Sequence, residues 1–195
     1  GRAAPRAAPP LAAALFAARA AYLVGFAGTS AALADALYGI PAFGTMGHSF
    51  VQAHDDEKGA FLAFARTFPD NAILLIDTYD SELAAHKVVE VAKTLAREGI
   101  VVRGIRLDSG DLLALSRSVR SILDAGGLSG VIIFASGNLD EHRVAALEEA
   151  GAPIDVYGIG TALVTSADAP SLDMVYKLQE FDGAAKRKRS PGKAT

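Results

Sequence analysis

Arg106 and Asp108 stand two residues apart in the stretch RLDSGD, which follows an apolar run. If that run is a strand, the alternation of side chains puts both residues on the same side of its end. A guanidinium there can clamp a ligand carboxylate, and a carboxylate can bind a ring N–H or a ribose hydroxyl. We therefore predict that Arg106 and Ser109 bind substrate and that Asp108 takes part in catalysis.

Two glycine-containing stretches follow the next two apolar runs, Ser136-Gly137-Asn138 and Gly158-Ile159-Gly160-Thr161. Glycine lets backbone N–H groups approach an anion closely, and the Thr161 hydroxyl adds a donor. Either stretch alone is also compatible with a tight turn that needs a positive φ. Their occurrence after consecutive strands favours a phosphate site, for which we predict five binding residues: Ser136, Gly137, Gly158, Gly160 and Thr161.

The stretch DTYD supplies acidic oxygens after another apolar run. Asp77 and Tyr79 are predicted to bind substrate, and the carboxylates of Asp77 and Asp80 suit Mg²⁺ or sugar hydroxyls. Asp80 and, in RLDSGD, Asp111 equally suit the N-cap of a following helix, and the sequence leaves both interpretations open.

A histidine, His48, follows the apolar run YGIPAF in the stretch GTMGHS. Imidazole suits nucleophilic catalysis and proton transfer, but a lone histidine after a strand is also often structural or merely polar. The basic stretch KRKRSPGKAT near the end of the chain could bind phosphate, and we predict that it is a solvated tail.

The elements that must position these residues alternate along the chain. Apolar runs recur roughly every 30 residues and are separated by amphipathic stretches, a pattern typical of βαβ units and a parallel sheet. The carboxyl ends of parallel strands share one edge, so we expect the polar clusters to converge there. Five strands are too few to close an eight-stranded barrel. The predicted strands are Ile40–Met46, Ala72–Ile76, Ile100–Ile105, Val131–Ala135 and Ile154–Tyr157, and the predicted helices between them are Lys58–Thr67, Ser81–Glu98, Leu112–Ala125 and Glu141–Ala150.

Composition narrows the classes of function. The chain is 51% hydrophobic, has a net charge of −3 and contains no cysteine. These values predict a folded protein without overall attraction to nucleic acid or to an anionic membrane, and they exclude thiolate chemistry. We predict a loose leader over residues 1–10, a buried helix over Leu11–Ala27, one catalytic domain over residues 11–182, a basic segment over residues 183–195, and a cytoplasmic location.

With these stretches in order, the chain resembles the nicotinate phosphoribosyltransferase family. The resemblance runs from about Phe16 to the C-terminus and depends on seven stretches: FAARAAYLVGFAGTSAALA, YGIPAFGTMGHSFVQ, DTYD, GIRLDSGDL, ASGNLDE, YGIGTALVTS and MVYKLQE. It implies an irregular α/β barrel of the type II phosphoribosyltransferase kind, present here in part, and a homodimer. It also implies transfer of phosphoribosyl from phosphoribosyl pyrophosphate to nicotinate, with Mg²⁺ as cofactor and ATP as co-substrate.

The resemblance also implies roles for individual residues. His48 matches the histidine that the family phosphorylates from ATP, with Asp77 or Glu57 as possible partners of its ring. Arg106 and Asp108 match residues around the pyridine and ribose. The sequence leaves two alternatives open: a truncated, non-catalytic family member that binds phosphoribosyl ligands, and a relative that acts on quinolinate or nicotinamide.

Overall fold

A computed structural model describes residues 10–165 and 177–188, which fall into two compact units. One unit combines the described residues up to Gly44 with residues 161–165, and the other combines Thr45–Gly160 with residues 177–188. The sequence predicted a single domain over residues 11–182. The predicted leader, apart from residue 10, and residues 189–195 of the basic segment lie outside the described part of the chain.

The described part of the first unit contains three helices, α1 (Pro10–Leu23), α2 (Ala32–Tyr38) and α8 (Thr161–Val164). Its small core is built around Ala18, Ala34 and Ile40. The prediction of a buried helix after residue 10 is wrong in its burial, because Phe16 is 61% exposed and Leu23 is 74% exposed. Alanine dominates α1, so little side-chain surface can be buried there. Within the described ranges, no helix combines the length and apolar character needed to cross a membrane.

The apolar run Ile40–Met46 was predicted as the first strand, and this prediction is wrong. Between Ile40 and Gly44, the run makes only an isolated parallel bridge, in which Thr29 pairs with Ala42. The Thr29 N–H donates to the Pro41 carbonyl, and the Phe43 N–H donates to the Thr29 carbonyl. Pro41 has no N–H to give to a ladder, which limits this segment as a strand.

The second unit is an α/β structure with four parallel strands in the order β1-β2-β3-β4. Each of these four strands is followed by a helix, and the helix after β4 is α8, whose residues belong to the other unit. The predicted α/β class with parallel βα units is confirmed, and among the described residues the four parallel strands form an open sheet. The elements are α3 (His48–Ala53), α4 (Glu57–Thr67), a 3₁₀ turn (Pro69–Asn71), β1 (Ile73–Leu75), α5 (Ser81–Arg97), β2 (Gly104–Leu107), α6 (Leu112–Ala125), β3 (Ile132–Ala135), α7 (Glu141–Glu149), β4 (Val156–Tyr157) and an antiparallel hairpin of β5 (Glu180–Phe181) with β6 (Ala184–Ala185).

Aspartate caps fix where four helices of the second unit begin, α4, α5, α6 and α7. In each case the carboxylate accepts a hydrogen bond from the backbone N–H three residues later, which satisfies one of the unpaired donors of the first turn. For α5, α6 and α7 this places the start of the helix shortly after the end of β1, β2 or β3, so these strand-end loops stay short. The caps are Asp56 on α4, Asp80 on α5, Asp111 on α6 and Asp140 on α7.

The core of this unit lies between the sheet and the helices. β1 and β2 contribute fully buried residues, among them Leu74, Leu75 and Ile105, and α5 covers them with Val88 and Leu95. Burial of such side chains contributes roughly 1.5–3 kcal/mol each. The rigid sheet therefore provides a fixed edge for the polar residues that follow its strands.

Candidate active site

The carboxyl ends of β1, β2 and β3 bring the predicted polar clusters to one edge of the sheet. Backbone hydrogen bonds continue past the strands: the Ile76 N–H donates to the Arg106 carbonyl and the Ser136 N–H donates to the Leu107 carbonyl. In the chain, Asp77 comes directly after Ile76, and Asp108 comes directly after Leu107. The predicted convergence of these clusters is confirmed.

His48 begins α3, and its ring lies between polar groups of the residues that follow β1 and β2. Nδ1 is 3.1 Å from the Thr78 hydroxyl oxygen, and Nε2 is 3.3 Å from Oδ2 of Asp108. Asp77 is further away, with Oδ1 3.8 Å from Nε2. The ring therefore has a neutral hydroxyl at one nitrogen and two carboxylates near the other.

Glu57 was one of the two expected partners of His48, and this prediction is wrong. The carboxylate of Glu57 pairs instead with Lys87, 2.6 Å from Oε2, and the residue is only 2% exposed. Burial raises the pKa of Glu57 above its usual value, and the ammonium of Lys87 opposes part of that increase.

Thr78 was not predicted. It lies inside the stretch DTYD, but strand alternation would direct its side chain away from that of Asp77, so the pattern did not indicate it as a site residue.

Arg106 holds the ends of β2 and β3 together with its side chain. Nε donates to the Ser136 hydroxyl at 3.0 Å, one terminal nitrogen donates to the Thr45 hydroxyl at 2.6 Å, and the other donates to Oδ1 of Asp108 at 3.2 Å. The Ser136 hydroxyl itself donates to the same Asp108 oxygen at 2.7 Å. Arg106, Asp108 and Ser136 thus form one connected network.

Asp77 is the most deeply buried acid of the site, with 1% exposure. The Ser109 hydroxyl donates to its Oδ2, and the Lys188 ammonium lies 3.3 Å from the same oxygen. Its Oδ1 is buried and has no hydrogen-bond partner among the described residues. An unsatisfied buried carboxylate oxygen is costly, so Asp77 has capacity for a further ligand.

Lys188 enters the site from the segment that follows the β5–β6 hairpin. Its Nζ lies 2.7 Å from Nε2 of His48, and its side chain is 6% exposed. The prediction of a solvated tail is therefore wrong for Lys188, because the charge is buried beside Asp77. A run of four basic residues gave no signal for which of them would be buried.

Gly137 and Gly158 allow the strand ends to approach one another. Gly137 has a φ of +92°, and a Cβ there would lie 2.1 Å from the carbonyl oxygen of Asp108. A Cβ on Gly158 would lie 2.7 Å from the Phe134 ring. Gly160 has no described atom within 4 Å of an added Cβ, and Thr161 begins α8 in the other unit. Anion binding by these glycines and Thr161 stays a prediction.

Asp80 and Asp111 act as helix caps, one of the two roles left open by the sequence. Asp80 accepts from the Leu83 N–H at 2.8 Å and Asp111 accepts from the Ala114 N–H at 3.1 Å. Tyr79 is half-buried and packs against the hydrophobic core.

The candidate cation site includes Asp77, one of the two acids predicted for Mg²⁺, but not Asp80. Within the described ranges, one group of side chains has the spacing to hold a metal ion, and it comprises His48, Asp77 and Asp108 without Asp80. Carboxylate oxygens suit Mg²⁺, and the unpaired Oδ1 of Asp77 makes these two acids a fitting donor pair.

Comparison with known proteins identifies the family of this chain. A family model described as the nicotinate phosphoribosyltransferase (NAPRTase) family matches residues 8–190. Nicotinate phosphoribosyltransferase pncB2 of Mycobacterium tuberculosis is 55% identical over 176 residues, which are 90% of this chain and 38% of that relative. The chain thus spans well under half the length of this curated relative.

Two solved structures have a similar fold. The crystal structure of human nicotinic acid phosphoribosyltransferase matches 80% of this chain and 42% of its own, with a TM-score of 0.68 and 29% identity. The crystal structure of nicotinate-nucleotide pyrophosphorylase from Pyrococcus furiosus matches 96% of this chain and 48% of its own, with a TM-score of 0.67 and 30% identity.

Proposed function

Because this chain belongs to the nicotinate phosphoribosyltransferase family, we propose that it transfers the phosphoribosyl group of phosphoribosyl pyrophosphate to the ring nitrogen of nicotinate. The products are nicotinate mononucleotide and pyrophosphate, in the first step of NAD salvage. ATP is the co-substrate that phosphorylates His48. The setting of His48 at the carboxyl edge of the sheet is the observation that carries this proposal.

The neighbours of His48 suit a phosphoryl acceptor. When the lone pair of Nε2 attacks the γ-phosphorus of ATP, the bond to the β–γ bridging oxygen breaks and ADP leaves with that electron pair. The ring gains positive charge, which the carboxylates of Asp77 and Asp108 offset from 3.8 Å and 3.3 Å. Thr78 holds the ring by Nδ1 at 3.1 Å.

Arg106 supports a pyridine substrate that bears a carboxylate. Its guanidinium is 21% exposed and already makes one charged contact, with Asp108. A planar guanidinium can bind a ligand carboxylate with two parallel hydrogen bonds, which favours nicotinate over nicotinamide. Quinolinate has a second carboxylate, so quinolinate and nicotinamide are the competing substrates to assay beside nicotinate.

Mg²⁺ is the proposed cofactor, and Asp77 and Asp108 would hold it. Bound there, it supplies positive charge that stabilises the leaving pyrophosphate. A homodimer and a cytoplasmic location complete the proposal. The exposed apolar side chains Phe16, Tyr22 and Leu23 of α1 support burial against another surface.

The decisive experiment compares the wild-type chain with His48→Ala. ATP should stimulate formation of nicotinate mononucleotide by the wild type, and label from the γ-phosphate should appear on the protein in an acid-labile bond. We expect His48→Ala to lose the label and the stimulation but to keep some ATP-independent transfer, because binding of the substrates involves other residues. His142→Ala, at an exposed position on α7, is the matched control. ATP stimulation that persists in His48→Ala would refute the phosphohistidine role.

Calorimetric titration with Mg²⁺-phosphoribosyl pyrophosphate separates the enzyme from a non-catalytic family member. Saturable binding together with turnover supports the enzyme. Saturable binding without turnover of nicotinate, nicotinamide or quinolinate supports a module that only binds phosphoribosyl ligands.

A further inference from the structure

Lys188 is held at the reactive nitrogen of His48 by the fold of the C-terminal hairpin. The Lys186 N–H donates to the Gln179 carbonyl at 2.7 Å, which extends the β5–β6 pairing to the residue two positions before Lys188. The Lys188 side chain then reaches Asp77 and His48 with 6% exposure. Lysine is almost never this buried without a charged partner, and Asp77 at 3.3 Å is that partner.

Nε2 of His48 has two neighbours with opposite requirements. The ammonium of Lys188 can only donate, so it needs a lone pair on Nε2, whereas the carboxylate of Asp108 can only accept and needs a proton there. The contact with Lys188 is 2.7 Å and the contact with Asp108 is 3.3 Å. Because the shorter contact lies at the favourable hydrogen-bond distance, the network assigns the lone pair to Nε2 and the proton to Nδ1.

The remaining contacts of the ring agree with this tautomer. With the proton on Nδ1, the ring donates to the Thr78 hydroxyl oxygen at 3.1 Å. The hydrogen bond at one ring nitrogen thus determines the state of the other.

We propose that Lys188 is a positioning residue that keeps Nε2 of His48 unprotonated and ready to accept a phosphoryl group. The proposal rests on the proposed function, in which Nε2 attacks the γ-phosphorus of ATP. No proton has to leave Nε2 in that step, and the Nδ1 proton stays on the ring beside Thr78. The ammonium gives up the Nε2 lone pair to the incoming phosphorus and transfers its hydrogen bond to the phosphoryl oxygens. Without Lys188, Nε2 donates to Asp108 and the lone pair moves to Nδ1, away from the site.

The test is ¹⁵N NMR of the histidine side chains in the 195-residue chain without ligand, at a fixed pH where the ring is neutral. The His48 signals are identified by their loss in His48→Gln. In the wild type we expect Nε2 to be the unprotonated nitrogen. Lys188→Met should move the proton to Nε2, and Lys188→Arg should keep the wild-type pattern. Arg187→Met is the control and should leave the spectrum unchanged, because Arg187 is exposed.

A wild-type spectrum with the proton on Nε2 would overturn the proposal. An unchanged tautomer in a folded Lys188→Met variant would also overturn it. The second measurement is the rate at which the protein takes up label from ATP. We expect a loss on the order of 10- to 100-fold in Lys188→Met, with recovery in Lys188→Arg. Absence of label in the wild type would refute the phosphohistidine function itself, while the NMR result would still decide the role of Lys188.

Discussion

Replacement of Gly137 by alanine tests how closely the ends of β2 and β3 are joined at the site. Gly137 has a φ of +92°, and the new Cβ would lie 2.1 Å from the carbonyl oxygen of Asp108 and 2.8 Å from its carbonyl carbon. Real Cβ contacts essentially never fall below 3.0 Å, so one strand end must move by about 1 Å. The atoms involved belong to the backbone, which cannot rotate away as a side chain can.

The expected cost has two parts. A left-handed backbone conformation costs an alanine about 1–2 kcal/mol. Overpacking against a rigid neighbour costs a further ~1–3 kcal/mol. We therefore expect Gly137→Ala to lower the free energy of unfolding by about 2–5 kcal/mol.

Gly151→Ala separates the cost of backbone strain from the cost of the steric clash. Gly151 has a φ of +64°, but an added Cβ meets no described atom within 4 Å, so this variant suffers the backbone strain without the clash. Urea denaturation followed by circular dichroism gives the free energy of unfolding of both variants. Gly151→Ala should lose about 1–2 kcal/mol, from the backbone strain alone. If Gly137→Ala lowers the free energy of unfolding by no more than Gly151→Ala does, Gly137 does not lie as close to Asp108 as the structure places it.

Two further predictions concern buried charge and the guanidinium network. Burial raises the pKa of Glu57, so its stabilising contribution is fully present below the unfolded value of 4.5 and is lost as the pH rises through the folded value. Glu57→Gln should flatten the dependence of the unfolding free energy on pH above about 4.5, as measured by urea denaturation. If the wild type and the variant instead show parallel curves of unfolding free energy against pH, this prediction is contradicted. Arg106→Lys cannot reproduce three divergent hydrogen bonds, so it should lower the unfolding free energy by about 1–2 kcal/mol and raise the KM for nicotinate, and an unchanged KM would argue against a substrate contact.

The βα units could be predicted because local signals agree with the tertiary structure. The predicted helix Leu112–Ala125 matches α6 in both ends. Its cap, Asp111, and its amphipathic pattern lie within the same short stretch of sequence. The predicted helix Ser81–Glu98 likewise differs from α5 by a single residue. Helix caps and hydrophobic periodicity are local properties of the sequence, so helix bounds can be predicted from them without knowledge of distant contacts.

The failures arise where distant parts of the chain decide the outcome. The run Ile40–Met46 has strand composition, but between Ile40 and Gly44 it pairs only by a bridge between Thr29 and Ala42. Lys188 lies 140 residues from His48 along the chain, and nothing in its neighbours distinguishes it from Arg187. Burial of one lysine out of a basic run depends on where the hairpin directs each side chain. That direction is a property of the assembled unit.

The charges of the site suggest how it would receive anionic ligands. Each described cation near His48 already has a carboxylate: Lys188 has Asp77 at 3.3 Å, and Arg106 has Asp108 at 3.2 Å. A phosphate that approached Lys188 or Arg106 would therefore compete with these acids rather than fill a bare positive pocket. A divalent cation on Asp77 and Asp108 would remove that competition, because it neutralises the carboxylates and leaves the two side-chain cations to bind phosphate.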